Sequence, residues 1–193
     1  MKLYDNLPRE IVWRGKKYPL NLAFNRVLEV IDFLNDERFD PIDRVDYCLS
    51  VLIPKKHPLS EDLLVAIFDL IFPQKAKKGK KLIDYTQDRG LIIAAFYQAY
   101  GIDLNQEIDK LHWITFLDLM QGLPSDTRLA EVVNIRARPM PKPNKHNAEM
   151  RAELARLKME YRLLDTGEDN YKDGLEKIAS MLIDMAKRGE KDG

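Results

Sequence analysis

The sequence predicts an all-α protein, mainly a helical bundle, with a small N-terminal β-hairpin and a C-terminal helical hairpin. From Asn21 onward the apolar residues recur at helical spacing, whereas the residues before it show a strand-turn-strand pattern. The 193 residues are 32% charged and 45% hydrophobic. This combination is typical of helices that keep one solvated face.

The N-terminal segment has the pattern of a β-hairpin. β-branched and aromatic residues at 11–13 and the segment 17–20 flank a turn at Arg14-Gly15-Lys16. An isolated hairpin is only marginally stable in water. We therefore expect this one to lie against helices and to cover part of the core.

Three helices are predicted after the hairpin. The first carries the apolar residues Leu22, Val27, Leu28, Ile31 and Leu34 and ends at Asn35-Asp36. The second begins at Asp40-Pro41 and buries the face formed by Ile42, Val45, Cys48, Leu49 and Leu52. The third begins at Ser60 and contains Leu63, Leu64, Ile67, Phe68 and Ile71.

Three further helices are predicted after a basic loop at residues 74–81. The segment 91–97 is apolar on nearly all sides, so we expect it to form the central core helix, with Ile93 and Phe96 buried. The next helix, 111–120, buries Trp113, Ile114, Phe116, Leu117 and Met120. The sixth opens at Pro124-Ser125-Asp126 and turns Leu129, Val132 and Val133 inward.

The chain is predicted to have three parts. Residues 1–137 form the helical body with its hairpin, and residues 138–146 form a basic linker in which three alternating prolines favour extended backbone. Residues 147–193 form a helical hairpin with a turn near Gly167 and a heptad seam on each arm. The seams are Met150, Leu154, Leu157, Tyr161 and Leu164, then Tyr171, Leu175, Ile178, Leu182 and Met185.

A narrow apolar seam must pack on the body, associate with copies of itself or receive a helical partner. The sequence leaves internal packing and association both open. The candidate partner-binding residues are Leu154, Leu157, Tyr161, Leu175, Ile178 and Leu182.

The sequence offers no catalytic, cofactor-binding or metal-binding constellation, so we expect a protein that is not an enzyme. The three histidines, His57, His112 and His146, lack ligand spacing, and the lone Cys48 lies on an apolar helix face. No signal-peptide or membrane-spanning pattern occurs, which predicts a cytoplasmic protein.

Equal numbers of basic and acidic residues, 31 each, argue against a nucleic-acid partner. Binding of nucleic acid, or a packaging accessory role, through the basic segments 74–81 and 136–145 stays open as the alternative.

One stretch of sequence resembles a known family. The resemblance extends from about Leu7 to about Leu164, and its most specific part lies between Lys110 and Arg136. That part contains His112, Trp113 and Phe116, followed by Gly122, Leu123 and Pro124. These residues are similar to the bacteriophage gene-product-fifteen family of siphovirus-type phages and prophages of Gram-positive bacteria.

The resemblance implies a tail assembly chaperone that binds the tape measure protein and has no enzymatic residues or cofactors. It also implies the major tail protein as a second candidate partner, homo-oligomers, and no membrane association. The expected location is the cytoplasm of the bacterial host, with the protein absent from the mature virion.

Overall fold

The computed structural model describes residues 5–72 and 81–164. Within them, a two-stranded antiparallel hairpin precedes seven α-helices, which confirms the predicted mainly helical fold. The described residues fall into two compact units. Unit 1 holds residues 5–72 and 108–117, and unit 2 holds residues 81–107 and 118–164.

The hairpin in unit 1 consists of β1 (Glu10–Trp13) and β2 (Lys16–Pro19). The turn residues Arg14 and Gly15 have φ angles of 48° and 75°. Two consecutive left-handed residues match the twist of the paired strands, which is why a glycine is suited to the second position. The side chain of Tyr18 is buried, so one face of the hairpin lies against the rest of unit 1, as predicted.

Three helices supply most of the core of unit 1: α1 (Phe24–Leu34), α2 (Pro41–Leu52) and α3 (Glu61–Ile71). The Ser60 side chain accepts a hydrogen bond from the Leu63 amide at 3.4 Å and caps α3 as predicted. Ile42, predicted to face inward, is 41% exposed. The neighbouring Pro41 takes the buried position in the first turn of α2 instead.

A short backbone pairing joins the start of α1 to the start of α5 (Trp113–Gln121). The Trp113 amide donates to the Leu22 carbonyl at 2.7 Å, and the Phe24 amide donates to the Leu111 carbonyl at 2.9 Å. Because these groups are used in the pairing, α5 begins at Trp113 rather than at Leu111 as predicted. Residues 113–117 of α5 belong to unit 1 and the remainder to unit 2.

Unit 2 contains α4 (Arg89–Tyr100), the end of α5, α6 (Arg128–Ala137) and α7 (Ala148–Glu160). Gly101 ends α4 in the left-handed conformation with a φ of 68°. The Thr127 side chain caps α6 by accepting from the Ala130 amide at 3.3 Å. Helix α6 packs against both α4 and α7.

The prediction that α4 is buried on nearly all sides is wrong. Ile92 and Phe96 are buried, but Ile93 is only half-buried and Tyr97 is 66% exposed. The helix packs along one face within unit 2, and its other apolar residues remain partly in contact with solvent. The sequence pattern could not distinguish a helix covered on one side from one covered on every side.

The segments that connect the helices agree with the sequence-based prediction only in part. Residues 139–144 have no regular secondary structure, as the alternating prolines predict. The division of the chain into body, linker and hairpin stays a prediction. The second arm of the predicted C-terminal hairpin and nearly all of the basic loop 74–81 lie outside the described residues. Lys81, the last residue of that loop, forms an ion pair with Asp84 at 3.0 Å.

We expect Phe116→Ala to lower the free energy of unfolding by about 3 to 5 kcal/mol. Phe116 is 1% exposed, and its ring stacks on Phe24 and Trp113 at centroid distances of 5.0 and 5.6 Å. Urea denaturation measures the loss. Tyr97→Ala, which removes an exposed ring, is the control and should change stability much less. An equal effect of the two changes would contradict this description of the core.

Candidate partner-binding site

The heptad seam on α7 is only partly used for packing within unit 2. Leu154, at its centre, is 5% exposed, while Leu157 and Tyr161 are half-buried. Met150, in the first turn of α7, is 55% exposed. Leu164 is 60% exposed but lies four residues beyond the last residue of α7, so the predicted continuation of the helical seam to Leu164 is wrong. The central seam thus packs internally, and the apolar side chains of Met150 and Leu164 are available to a partner.

The candidate partner-binding residues therefore differ in accessibility. Leu154 could contact a partner only if α7 moved away from its neighbours, whereas Leu157 and Tyr161 are partly accessible. The other three candidates, Leu175, Ile178 and Leu182, lie outside the described residues. A role of any of the six in partner binding stays a prediction.

Helix α7 is held to α6 by charged and aromatic contacts. The Lys158 ammonium donates to the carbonyls of Ile135 and Arg136 at 2.8 and 2.9 Å. These carbonyls lie in the last turn of α6, where a cation also stabilises the helix dipole. Near the start of α6, the Arg128 guanidinium donates to the Tyr161 hydroxyl and lies 5.2 Å from the centre of its ring.

A buried ion pair between Arg136 and Asp88 lies beside these contacts. Two nitrogens of Arg136 donate to the two carboxylate oxygens of Asp88 at 2.6 and 2.8 Å, and the side chains are only 8% and 3% exposed. Arg136 also donates to the carbonyls of Leu82 at 2.9 Å and Tyr161 at 2.6 Å, and Asp88 accepts from the Asp84 amide at 3.0 Å. The two charges thus have the geometry and the additional hydrogen bonds that a buried pair requires.

The sequence alone does not reveal this pair. The pair removes one cation from the basic segment that the sequence offers for binding of nucleic acid. Arg136 belongs to the basic segment 136–145, but its guanidinium is buried and makes four hydrogen bonds within unit 2. The partner Asp88 is 48 positions away, so no local spacing signals the pair. Of the predicted basic segment, the exposed cations are Arg138, Lys142 and Lys145.

The residues of the family-like motif have structural roles. In unit 1, His112 bridges two backbone groups, with Nε2 lying 3.0 Å from the Pro8 carbonyl and Nδ1 accepting from the Ile114 amide at 3.2 Å. Trp113 and Phe116 belong to the core of the same unit. We assign the proton to Nε2, because only that tautomer satisfies both contacts.

The second half of the motif shapes a turn in unit 2. A Cβ at Gly122 would lie 3.1 Å from the Tyr100 hydroxyl, which donates to the Leu119 carbonyl at 2.8 Å. The absence of a side chain thus gives that hydroxyl room. Leu123 is half-buried, and the Pro124 carbonyl accepts from the hydroxyl of the capping Thr127 at 3.0 Å.

Cys48 lies buried on α2. Burial raises the pKa of the Cys48 thiol to about 12, so it stays protonated near neutral pH. Within the two described stretches, no group of three or more His, Cys, Asp or Glu side chains is placed to hold a metal ion. In the same stretches, no helix is both long enough and apolar enough to cross a bilayer.

Comparison with known families provides the identification. The family model for the Bacteriophage Gp15 protein matches residues 3–163. The chain belongs to the Gp15 family. No curated protein and no solved structure matches it. The resemblance inferred from the motif is thus confirmed at the level of the bacteriophage family.

In this Gp15 family member, loss of one partner of the buried ion pair should lower the free energy of unfolding. Arg136→Met leaves the Asp88 carboxylate buried without its cation, so we expect a loss of about 3 to 5 kcal/mol in the free energy of unfolding. The double variant Arg136→Met/Asp88→Leu removes both charges and should recover part of that loss. Urea denaturation of the single and double variants measures both effects.

The exposed pair between Arg156 and Glu153 provides the control for the buried one. These side chains are 61% and 56% exposed, so Arg156→Met should leave stability nearly unchanged. Equal destabilisation by Arg136→Met and Arg156→Met would contradict a special role for burial.

We also expect stability to depend on His112 as the pH falls. Burial, followed by the charge of Arg9, holds the pKa of the imidazole below its ordinary value of 6.5, although the Pro8 carbonyl opposes this shift. As the pH falls, the imidazole of His112 therefore binds a proton more readily in the unfolded chain than in the folded chain. This contribution to stability is complete above about pH 6.5 and is lost as the pH falls toward the lowered folded pKa.

The measurement compares free energies of unfolding at about pH 7.5 and about pH 5.5. His112→Gln should flatten the pH dependence, because the amide can still donate to the Pro8 carbonyl but does not titrate. The matched control is His146→Gln, which removes an exposed imidazole and should leave the wild-type slope. Identical slopes for wild type and His112→Gln would refute this role of His112.

Proposed function

We propose that this protein is a tail assembly chaperone that binds the tape measure protein during tail morphogenesis and performs no enzymatic reaction. Membership of a bacteriophage family supports a role in phage biology. The observation that carries the proposal is a pair of exposed apolar side chains on either side of the packed centre of the seam, Met150 on α7 and Leu164 four residues beyond its end. They offer apolar contact without opening the packed centre of the seam.

A surface of this kind suits a long helical substrate. Within α7, Met150, Leu154 and Leu157 keep the heptad spacing at which one helix packs against another. A methionine side chain is deformable and fits neighbours of irregular shape, so Met150 can accept different helical sequences. An apolar helix that docks here would be shielded from water, which is what a chaperone for an aggregation-prone chain must achieve.

The proposal extends to assembly and location. The protein acts as a homo-oligomer in the cytoplasm of a Gram-positive host infected by a siphovirus-type phage, and it is absent from the mature virion. The major tail protein is a second candidate partner. These statements rest on the sequence resemblance together with the family match.

The alternative is a nucleic-acid-binding or packaging accessory protein. Its support in the described residues is the exposed group Arg138, Lys142 and Lys145. Binding through phosphates weakens steeply as salt rises, whereas apolar helix docking does not. The salt dependence of complex formation therefore separates the two functions.

The test replaces the two exposed apolar side chains, Met150 and Leu164, by glutamate. Met150→Glu combined with Leu164→Glu should abolish the ability of the protein to keep co-expressed tape measure protein soluble, because a carboxylate in an apolar interface carries a large desolvation cost. Circular dichroism should show an unchanged fold, since both side chains are exposed. The fraction of tape measure protein that remains soluble after co-expression is the readout.

The matched control is Met159→Glu combined with Leu59→Glu. Met159 is 70% exposed but lies five residues from Leu154, which turns it about 140° away from the centre of the seam, and Leu59 is 54% exposed in unit 1. This variant should keep the tape measure protein soluble. Full solubilisation by the Met150/Leu164 variant would exclude these two side chains as the binding surface.

A further inference from the structure

A cleft rich in lysines lies in unit 1. Its two sides come from β2 and from the segment that follows α2. Each side contributes two adjacent lysines to the lining. The lining includes Lys16, Lys17, Lys55, Lys56 and the half-buried His57.

The backbone explains why these side chains meet. The Asn21 amide, just after β2, donates to the Leu52 carbonyl at the end of α2 at 2.8 Å. The exit of the hairpin is therefore tied to the end of α2, and the residues that follow α2 run beside β2. Pro54 and Pro58 prevent that segment from continuing the helix. Two lysine pairs that are distant in sequence thus line the same cleft.

Most of this positive charge is uncompensated. Lys17 forms an ion pair with Glu10 at 2.8 Å. Lys16, Lys55 and Lys56 are exposed, and none of them forms an ion pair with a described residue. Grouped like charges repel one another and contribute nothing to folding. An anion bound in the cleft would relieve that repulsion.

We propose that this cleft binds a short, carboxylate-rich segment of a partner protein. The ammonium groups of the exposed Lys16, Lys55 and Lys56 offer hydrogen-bond donors to carboxylates, and Tyr18 and Pro19 complete this part of the lining. The inference goes beyond the proposed function, because the cleft lies in unit 1 and shares no residue with the α7 seam.

A nucleic acid fits this cleft less well than an acidic segment. Tyr18 is 9% exposed, and the ring of Trp13 is covered by the Arg14 guanidinium, which lies 4.3 Å from its centre. Neither ring is therefore available as a stacking platform for bases.

The test measures binding of two labelled probes to the full-length protein by fluorescence anisotropy. One probe is a short polyglutamate peptide, and the other is an oligothymidylate of the same net charge. We expect the wild-type protein to bind polyglutamate more tightly than oligothymidylate, and we expect that binding to weaken as salt is added. Lys16→Gln/Lys55→Gln/Lys56→Gln should reduce the affinity for polyglutamate about tenfold.

The matched control removes three exposed cations elsewhere, in the variant Arg138→Gln/Lys142→Gln/Lys145→Gln. It changes the net charge by the same amount and should leave the affinity for polyglutamate within about twofold of wild type. Equal losses in the two triple variants would show that net charge, and not the cleft, determines binding. Equal losses would therefore overturn the proposal. Tighter binding of oligothymidylate than of polyglutamate, or no binding of either probe by the wild-type protein, would overturn it as well. Circular dichroism confirms that both variants fold.

Discussion

The organisation of unit 2 depends on one buried guanidinium. Arg136 joins the start of α4, through Asp88, to the backbone of Leu82 and to the end of α7, through the carbonyl of Tyr161. A buried arginine is stable only if nearly all of its donors are satisfied, and here each partner comes from a different stretch of chain. The requirement to satisfy one side chain therefore fixes the relative positions of three segments of the unit.

This arrangement determines what α7 can offer to a partner. Because Arg136 and Lys158 hold the end of α6 and the end of α7 together, Leu154 at the centre of the seam is covered. Met150 and Leu164 lie beyond the covered part and stay exposed. The centre of the seam thus packs internally, and association through the exposed Met150 and Leu164 stays a prediction. Binding of a helical partner at those two side chains would not require the breaking of a buried ion pair.

The sequence predicted local structure well, because local signals determine it. The hairpin turn at Arg14-Gly15, the start of α2 at Pro41 and the start of α3 after Ser60 depend on residues within a few positions of one another. Features that depend on distant residues could not be predicted. The pairing of Trp113 with Leu22 shortened α5, and the partner of Arg136 was 48 positions away.

The candidate sites were predicted less well than the fold for the same reason. Heptad spacing identified the α7 seam, but it could not show which part of the seam another helix covers. The lysine cleft was missed because its two halves, on β2 and after α2, are separate in sequence and neither half is unusual alone. A charge cluster of this kind becomes visible only once the fold has brought its parts together.

The residues of the family motif have roles in the fold. His112 is occupied by two backbone groups, Phe116 is in the core, and Gly122 leaves room for the hydroxyl of Tyr100. None of these side chains is free to contact a partner without loss of a packing or hydrogen-bond role. The motif residues thus hold the fold together. A partner that binds as proposed would contact exposed residues elsewhere, such as Met150 and Leu164 or those of the lysine cleft.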